Sequence, residues 1–254
     1  MIVSVCYLLL FLFVGLLLAR RAVPDADSAV LLPLGCGLGV SLLAVLPALF
    51  ALPFGFTLSA AGLAGAAAAV LGGVLLRCGT RLHGTAKDPD CGASWACLLP
   101  VAAVTLFLLH THVLHMVNGT LHTGQSCYGD MPMHLGFIRY IAQSGEFPPR
   151  YPLLGGAHRF GYPFLCETVS SVFLLLGTDL RTAYLLPMLP AFLSVYGMFW
   201  QLARRVTGSV AKASLAFYLF FYGQWVWVCV FSRLRRGFLR ASSPVFVHNT
   251  DQFC

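Results

Sequence analysis

Asp130 and His134 stand four residues apart in "YGDMPMHLGFIRYIAQSGEFPPRYP", residues 128–152, the one long polar passage of an otherwise apolar chain. On a helix that spacing stacks the two side chains on one side. An acid and an imidazole so placed can share proton transfer, with Asp130 as general base toward an acceptor hydroxyl and His134 beside it. Asp130, with His134, can also hold a divalent cation (Mg or Mn), although such ions prefer oxygen ligands. The plainer role for Asp130 is to cap a helix. Pro132 is tolerated in a first turn, and Gly145 is a plausible stop. Met131, Leu135, Ile138 and Ala142 recur at helical spacing, so the expected helix, about 130–144, lays an apolar stripe on the membrane or on other helices.

The passage that follows, "EFPPRYPLLGGAHRFGYPF", is extended by its prolines and turned at Gly155-Gly156. It carries Arg150, His158 and Arg159. Arg159, with His158 beside it, is the candidate phosphate ligand, because it precedes the return to the membrane and a guanidinium matches phosphate oxygens. Arg150 reads as a solvated loop charge.

The rest of the chain must position these groups, and its composition says how. Of 254 residues, 58% are hydrophobic and 10% charged, with a mean hydropathy of +0.81. Soluble domains carry about 25% charged residues. The expected class is therefore an all-α polytopic membrane protein of about six transmembrane helices, each needing roughly 20 apolar residues. Four runs fill residues 1–117: Ile2–Leu18, Ala29–Phe50, Thr57–Leu76 and Trp95–Val117. A large outer or lumenal loop, 118–182, carries juxtamembrane amphipathic helices near 130–144 and 162–177. Ala183–Ala203 and Ser214–Val230 supply two more spans within 183–230, and 231–254 is an outer tail. The tail stops at "HNTDQFC", neither a helix end nor a known signal, so a longer reading frame is expected.

The net charge is +7, but the basic residues sit in short clusters between apolar runs, where they set topology. No basic stripe is interleaved with aromatics, so nucleic acid is not an expected partner. Arg20 and Arg21 follow the first run, which argues for a span with a cytoplasmic end over a signal peptide. The nine cysteines contain no C-x-x-C pair, so zinc is not expected. Cys127 and Cys166 flank the polar loop and are either a disulfide in an oxidising compartment or two free thiols. His110, His112 and His115 suggest a metal, yet no single helical face presents all three. They read as boundary residues between lipid and water. Asn118-Gly119-Thr120 is a glycosylation sequon, which requires an exposed lumenal loop. The segment 162–177 is short for a span and carries Glu167, which favours a helix lying flat on the membrane; the charge count mildly favours spanning.

The stretch "GDMPMHLGFIRYIAQSGEFPPRYPLLGGAHRFGYPFLCETVSSVFLLLGTDLRTAYLLPMLPAFLSVYGMFWQLARRVTGS" resembles the GT-C superfamily of polytopic glycosyltransferases, especially its uncharacterised membrane branch. An outer loop with an early acid is followed by "I-x-x-x-G-x-x-P", an aromatic-Pro element, an "LG" turn, an "LP" helix start and an "ARR-x-x-G" end. The likeness covers about 80 residues, 129–209, and lies in the order of these pieces. It implies a polyprenyl-phosphate-linked sugar donor, an acceptor on the outer or lumenal side, and catalysis by the acid of the first large loop, here Asp130. It also implies that 162–177 is a juxtamembrane helix and "ARR" is cytoplasmic. The chain departs in having three apolar runs before the helix that leads into the loop, a single acid where several members have a pair, and about half of the family's spans. A missing C-terminal transmembrane region is expected to be needed for activity. The expected function is sugar transfer in the endoplasmic reticulum or plasma membrane, with membrane lipids and the lipid-linked donor as partners. The rival class is a non-catalytic membrane protein: a transporter, lipid-binding protein or complex subunit.

Overall fold

The computed structural model describes residues 1–78, 90–123, 130–152, 158 and 160–223. In chain order the elements are α1 (Ile2–Ala22), α2 (Ser28–Phe54), α3 (Leu58–Arg77), α4 (Cys91–Leu108), β1 (Leu114–Val117), β2 (Thr120–Thr123), α5 (Asp130–Ser144), α6 (Leu165–Leu175), α7 (Leu180–Leu185) and α8 (Met188–Thr207). A further apolar helix, α9, covers Val210–Gly223. Among the described residues, five helical stretches are long and apolar enough to cross a bilayer: Ile2–Ala22, Ser28–Phe54, Leu58–Arg77, Cys91–Val113 and Leu180–Thr207. The chain is thus a mostly helical, multi-pass membrane protein.

Two compact units divide it, 1–198 and 199–254. In the first, α1, α2 and α3 form the core around Phe11, Val14, Leu43, Ala64 and Ala68, all fully buried. Small residues set the spacing of α1 and α2. A Cβ on Gly35 would stand 2.9 Å from the Leu16 Cα, and one on Gly39 2.8 Å from the Leu12 Cα. Such close backbone approach is how helices associate in lipid, where apolar burial alone gives no preference for protein over solvent. Asp27 and Thr57 cap α2 and α3, accepting from the Val30 and Ala60 amides. In the second unit, the buried Trp200 donates its indole N–H to Ser214 Oγ at 3.2 Å, and Phe217 is fully buried beside Phe199. The expected sixth span, Ser214–Val230, coincides with α9 as far as Gly223, and its remainder lies outside the described residues, as does the tail 231–254.

The run expected as one span to Val117 ends earlier. Its helix widens into a π turn at Leu109–Val113 and then becomes the strand β1. β1 and β2 form an antiparallel hairpin in which His115 faces His122. Asn118 and Gly119 make the two-residue turn at φ 49° and 79°. Asn-Gly accepts left-handed backbone at both positions, and that twist matches paired strands. The sequence reading takes this tripeptide only as a sequon and has no strand.

Candidate functional site

The site is built on α5 and α6. The buried face of α5 is Met131, Leu135, Phe137, Ile138 and Ile141, close to the stripe expected from its periodicity. α6 is only 11 residues long, roughly 16 Å at 1.5 Å per residue, about half the hydrocarbon thickness of a bilayer. Residues 167–173 are all buried, so this stretch of the helix is covered on every side, while Leu165 and Cys166 before it are exposed. It ends in a Schellman motif: Gly177 has φ 82°, its N–H reaches the Leu174 carbonyl, and the Thr178 N–H reaches that of Phe173.

α5 and α6 run in parallel with a fixed offset. His134 meets Glu167 and Ile138 meets Ser171, both 33 residues apart. Ser171 Oγ bridges the two backbones, reaching the Ile138 carbonyl at 2.9 Å and the Glu167 carbonyl at 2.8 Å. α6 also follows α2. Its first turns share a cavity with Val40 and Ala44, while Val172 packs with Ala51, Phe56 and Ala60. A helix flat on the membrane surface would cross the end of α2. α6 instead lies alongside its C-terminal half, with Val169, Val172 and Phe173 buried in the apolar core and Ser171 satisfied by backbone carbonyls.

At the start of this seam His134 Nδ1 lies 2.6 Å from Glu167 Oε1. Glu167 is 3% exposed, and the His134 side chain 27%. The other carboxylate oxygen, Oε2, accepts from the Cys166 thiol at 2.8 Å. A buried carboxylate is costly unless its oxygens are satisfied; here both accept. Glu167 also sits in the first turn of α6, where the helix N-terminus favours negative charge. As an acceptor, the carboxylate holds the imidazole proton on Nδ1 and leaves the Nε2 lone pair available. Tyr162 and Phe137 close on the His134 ring edge-on, with centroids 5.7 and 6.3 Å away. The Cys166 thiol is pushed up to about 11, first by burial and then by the bond to, and charge of, Glu167.

His134 and Glu167 line a cavity of about 490 Å³ with Val40, Ala44, Ser170 and Tyr184 among its walls. Volumes of this order hold small ligands. Ser41, also on its wall, is near the midpoint of the 27-residue α2, so the cavity reaches into the depth of a span.

The expected site residues fare differently. Asp130 is the first residue of α5, exposed, one helical turn before His134. His158 is exposed, and its carbonyl accepts from the Tyr151 N–H. Arg159 and Cys127 lie outside the described residues; Cys166 is a free thiol. Arg150 pairs with Glu146 at 3.1 Å on the surface. Asn118 is exposed at the hairpin turn. Among the described residues no three His, Cys, Asp or Glu converge as metal ligands. Nor do His110, His112 and His115 converge: His110 Nδ1 accepts from Arg181 at 2.9 Å, and His115 stacks on His122. Glu167 is the residue sequence reasoning missed as a site member. Its signal was present, since a carboxylate in an apolar run points to function by default.

The fold and this seam define a multi-pass membrane protein with an enclosed acid–imidazole pair. Compared with protein-family models, curated proteins and solved structures, the chain matches none of them.

Proposed function

We propose that the chain is a GT-C-like membrane glycosyltransferase, or the N-terminal portion of one, moving a sugar from a polyprenyl-phosphate donor to a hydroxyl acceptor. One observation carries this reading: a buried Glu167 bonds the His134 imidazole at Nδ1, and both residues line a largely apolar cavity beside the middle of α2. In this reading His134 is the general base. Glu167 orients the ring and stabilises the imidazolium that forms when Nε2 takes the acceptor proton. Asp130, the acid the family resemblance points to, lies on the same helix and serves at the mouth of the site. His158 and Arg159 are the proposed phosphate contacts. The proposed topology has six spans, with α9 in the sixth and the 118–182 region on the outer or lumenal side of the endoplasmic reticulum or plasma membrane.

The test is transfer from a polyprenyl-phosphate sugar by the full chain in vesicles. Glu167→Gln and His134→Gln are each expected to lower the rate by two orders of magnitude or so, the usual worth of a positioned base. Asp130→Asn keeps helix-capping ability and reports on that acid separately. Full-rate transfer by His134→Gln would remove the base from this assignment. Lipid binding without transfer by the wild-type chain would support the binding-protein class instead.

A further inference from the structure

The cavity beside His134 has a charge character that bears on what fills it. Its described walls are apolar apart from Ser41, His134, Cys166, Glu167, Ser170 and Tyr184. They include one carboxylate and no lysine or arginine. A phosphate drawn into this space would meet the buried Glu167 with no cation to offset it, a like-charge contact in low dielectric. A neutral hydroxyl meets none of that cost. It finds an acceptor in His134 Nε2, and its chain finds Val40, Ala44 and Val169. The depth of the cavity, level with the middle of α2, suits an apolar chain lying parallel to the lipid tails.

We infer that this cavity takes the apolar chain of an uncharged lipid alcohol, and that this alcohol is the acceptor. The inference rests on the transferase reading and assigns the lipid-linked donor to space outside the cavity. In the step, the alcohol O–H proton passes to His134 Nε2. The oxygen forms a bond to the anomeric carbon, and the anomeric bond to the donor's phosphate oxygen breaks, its electron pair leaving with the phosphate. The imidazolium then returns its proton to water. Ser170, buried on the cavity wall, is positioned to contact the occupant below the hydroxyl.

The experiment uses the full chain in phosphatidylcholine vesicles and two photoreactive probes, a diazirine-bearing decanol and its phosphate monoester. Cross-linked peptides are read by mass spectrometry. The expected result is labelling by the alcohol at residues 40–44 or at Tyr184, severalfold above the monoester. Excess plain decanol should compete, and inorganic phosphate should not. Ala44→Phe and, as a second variant, Ser170→Leu fill the space and should each reduce labelling severalfold. Equal or stronger labelling by the monoester would overturn the inference, as would alcohol labelling unaffected by both fillings in folded protein. Failure of transfer with cavity labelling intact would sink the transferase reading alone.

Discussion

His134 and Glu167 meet at 2.6 Å across 33 residues of chain, one on each of two parallel helices. Glu167 Oε2 is held by Cys166 on its own helix, but the bond between Oε1 and His134 exists only when α5 and α6 are in register. That makes it both the chemistry of the site and a check on its assembly.

Stability should separate the two members. His134→Ala leaves Glu167 Oε1 buried without its partner, and should cost about 1–3 kcal/mol. Glu167→Gln removes the charge and keeps an acceptor for His134, so its loss should be smaller. Thermal unfolding of the purified chain in detergent reads both; a larger loss for Glu167→Gln would contradict the bond as described.

Cys166 should be a slow nucleophile. With its ionisation raised to about 11 from the ordinary 9.0, its thiolate fraction at pH 8 is about a hundredfold lower than that of a free thiol. Alkylation by iodoacetamide should therefore keep rising above pH 10. Glu167→Gln removes the carboxylate that accepts its proton and repels its charge, and should bring the profile down. A wild-type midpoint near 9 would rule this out.

Asp179 should make stability acid-sensitive. Its carboxylate caps α7, Oδ1 accepting from the Thr182 N–H at 2.9 Å. Partial burial pushes its ionisation up, but the bonds from Thr182 outweigh that, and the net shift is downward. A depressed carboxylate contributes stability above its unfolded value and loses it as pH falls through the folded one. Asp179→Asn should flatten the curve in that acid window. Asp179→Ala should cost about 0.5–2 kcal/mol at neutral pH.

Arg181 should hold the hairpin. Its Nε donates to the Leu114 carbonyl at 2.9 Å, and Nη2 to His110 Nδ1 at 2.9 Å. A lysine cannot reproduce that two-pronged geometry. Hydrogen exchange at residues 114–123 should quicken in Arg181→Lys nearly as much as in Arg181→Ala. Full protection in the lysine variant would show that charge alone suffices.

Gly39→Leu should separate α1 from α2, because even a Cβ there would lie 2.8 Å from the Leu12 backbone. Gly62→Leu, at a glycine with open space around it, is the control. The yield of folded protein after detergent extraction should fall for the first and hold for the second.

Much of the architecture was legible from composition. The first three apolar runs correspond to α1, α2 and α3, and 130–144 to α5, because long uninterrupted apolar stretches and a 3.6-residue stripe leave few alternatives. The hairpin was not read, since its strands are four residues each and no alternation stands out beside three histidines. The placement of α6 could not be read either. Its length and Glu167 argued against a span, and only a tertiary contact with His134 shows why a carboxylate is tolerated there. Of the site, His134 was named from spacing to Asp130; its partner proved to be a residue on another helix, which spacing cannot report.

The hairpin turn has a consequence in time. In the folded protein the Thr120 hydroxyl is engaged, donating to the Val117 carbonyl at 2.7 Å and lying 2.8 Å from His122 Nε2. The sequon's hydroxyl is thus withdrawn from any enzyme that must read it, and Asn118 is fixed in a left-handed turn. In a host that glycosylates, sugar at Asn118 would mark molecules modified before the strands closed. Gly119→Ala, which strains the turn at φ 79°, should delay closure and raise occupancy, turning the tripeptide into a stopwatch for the folding of this segment.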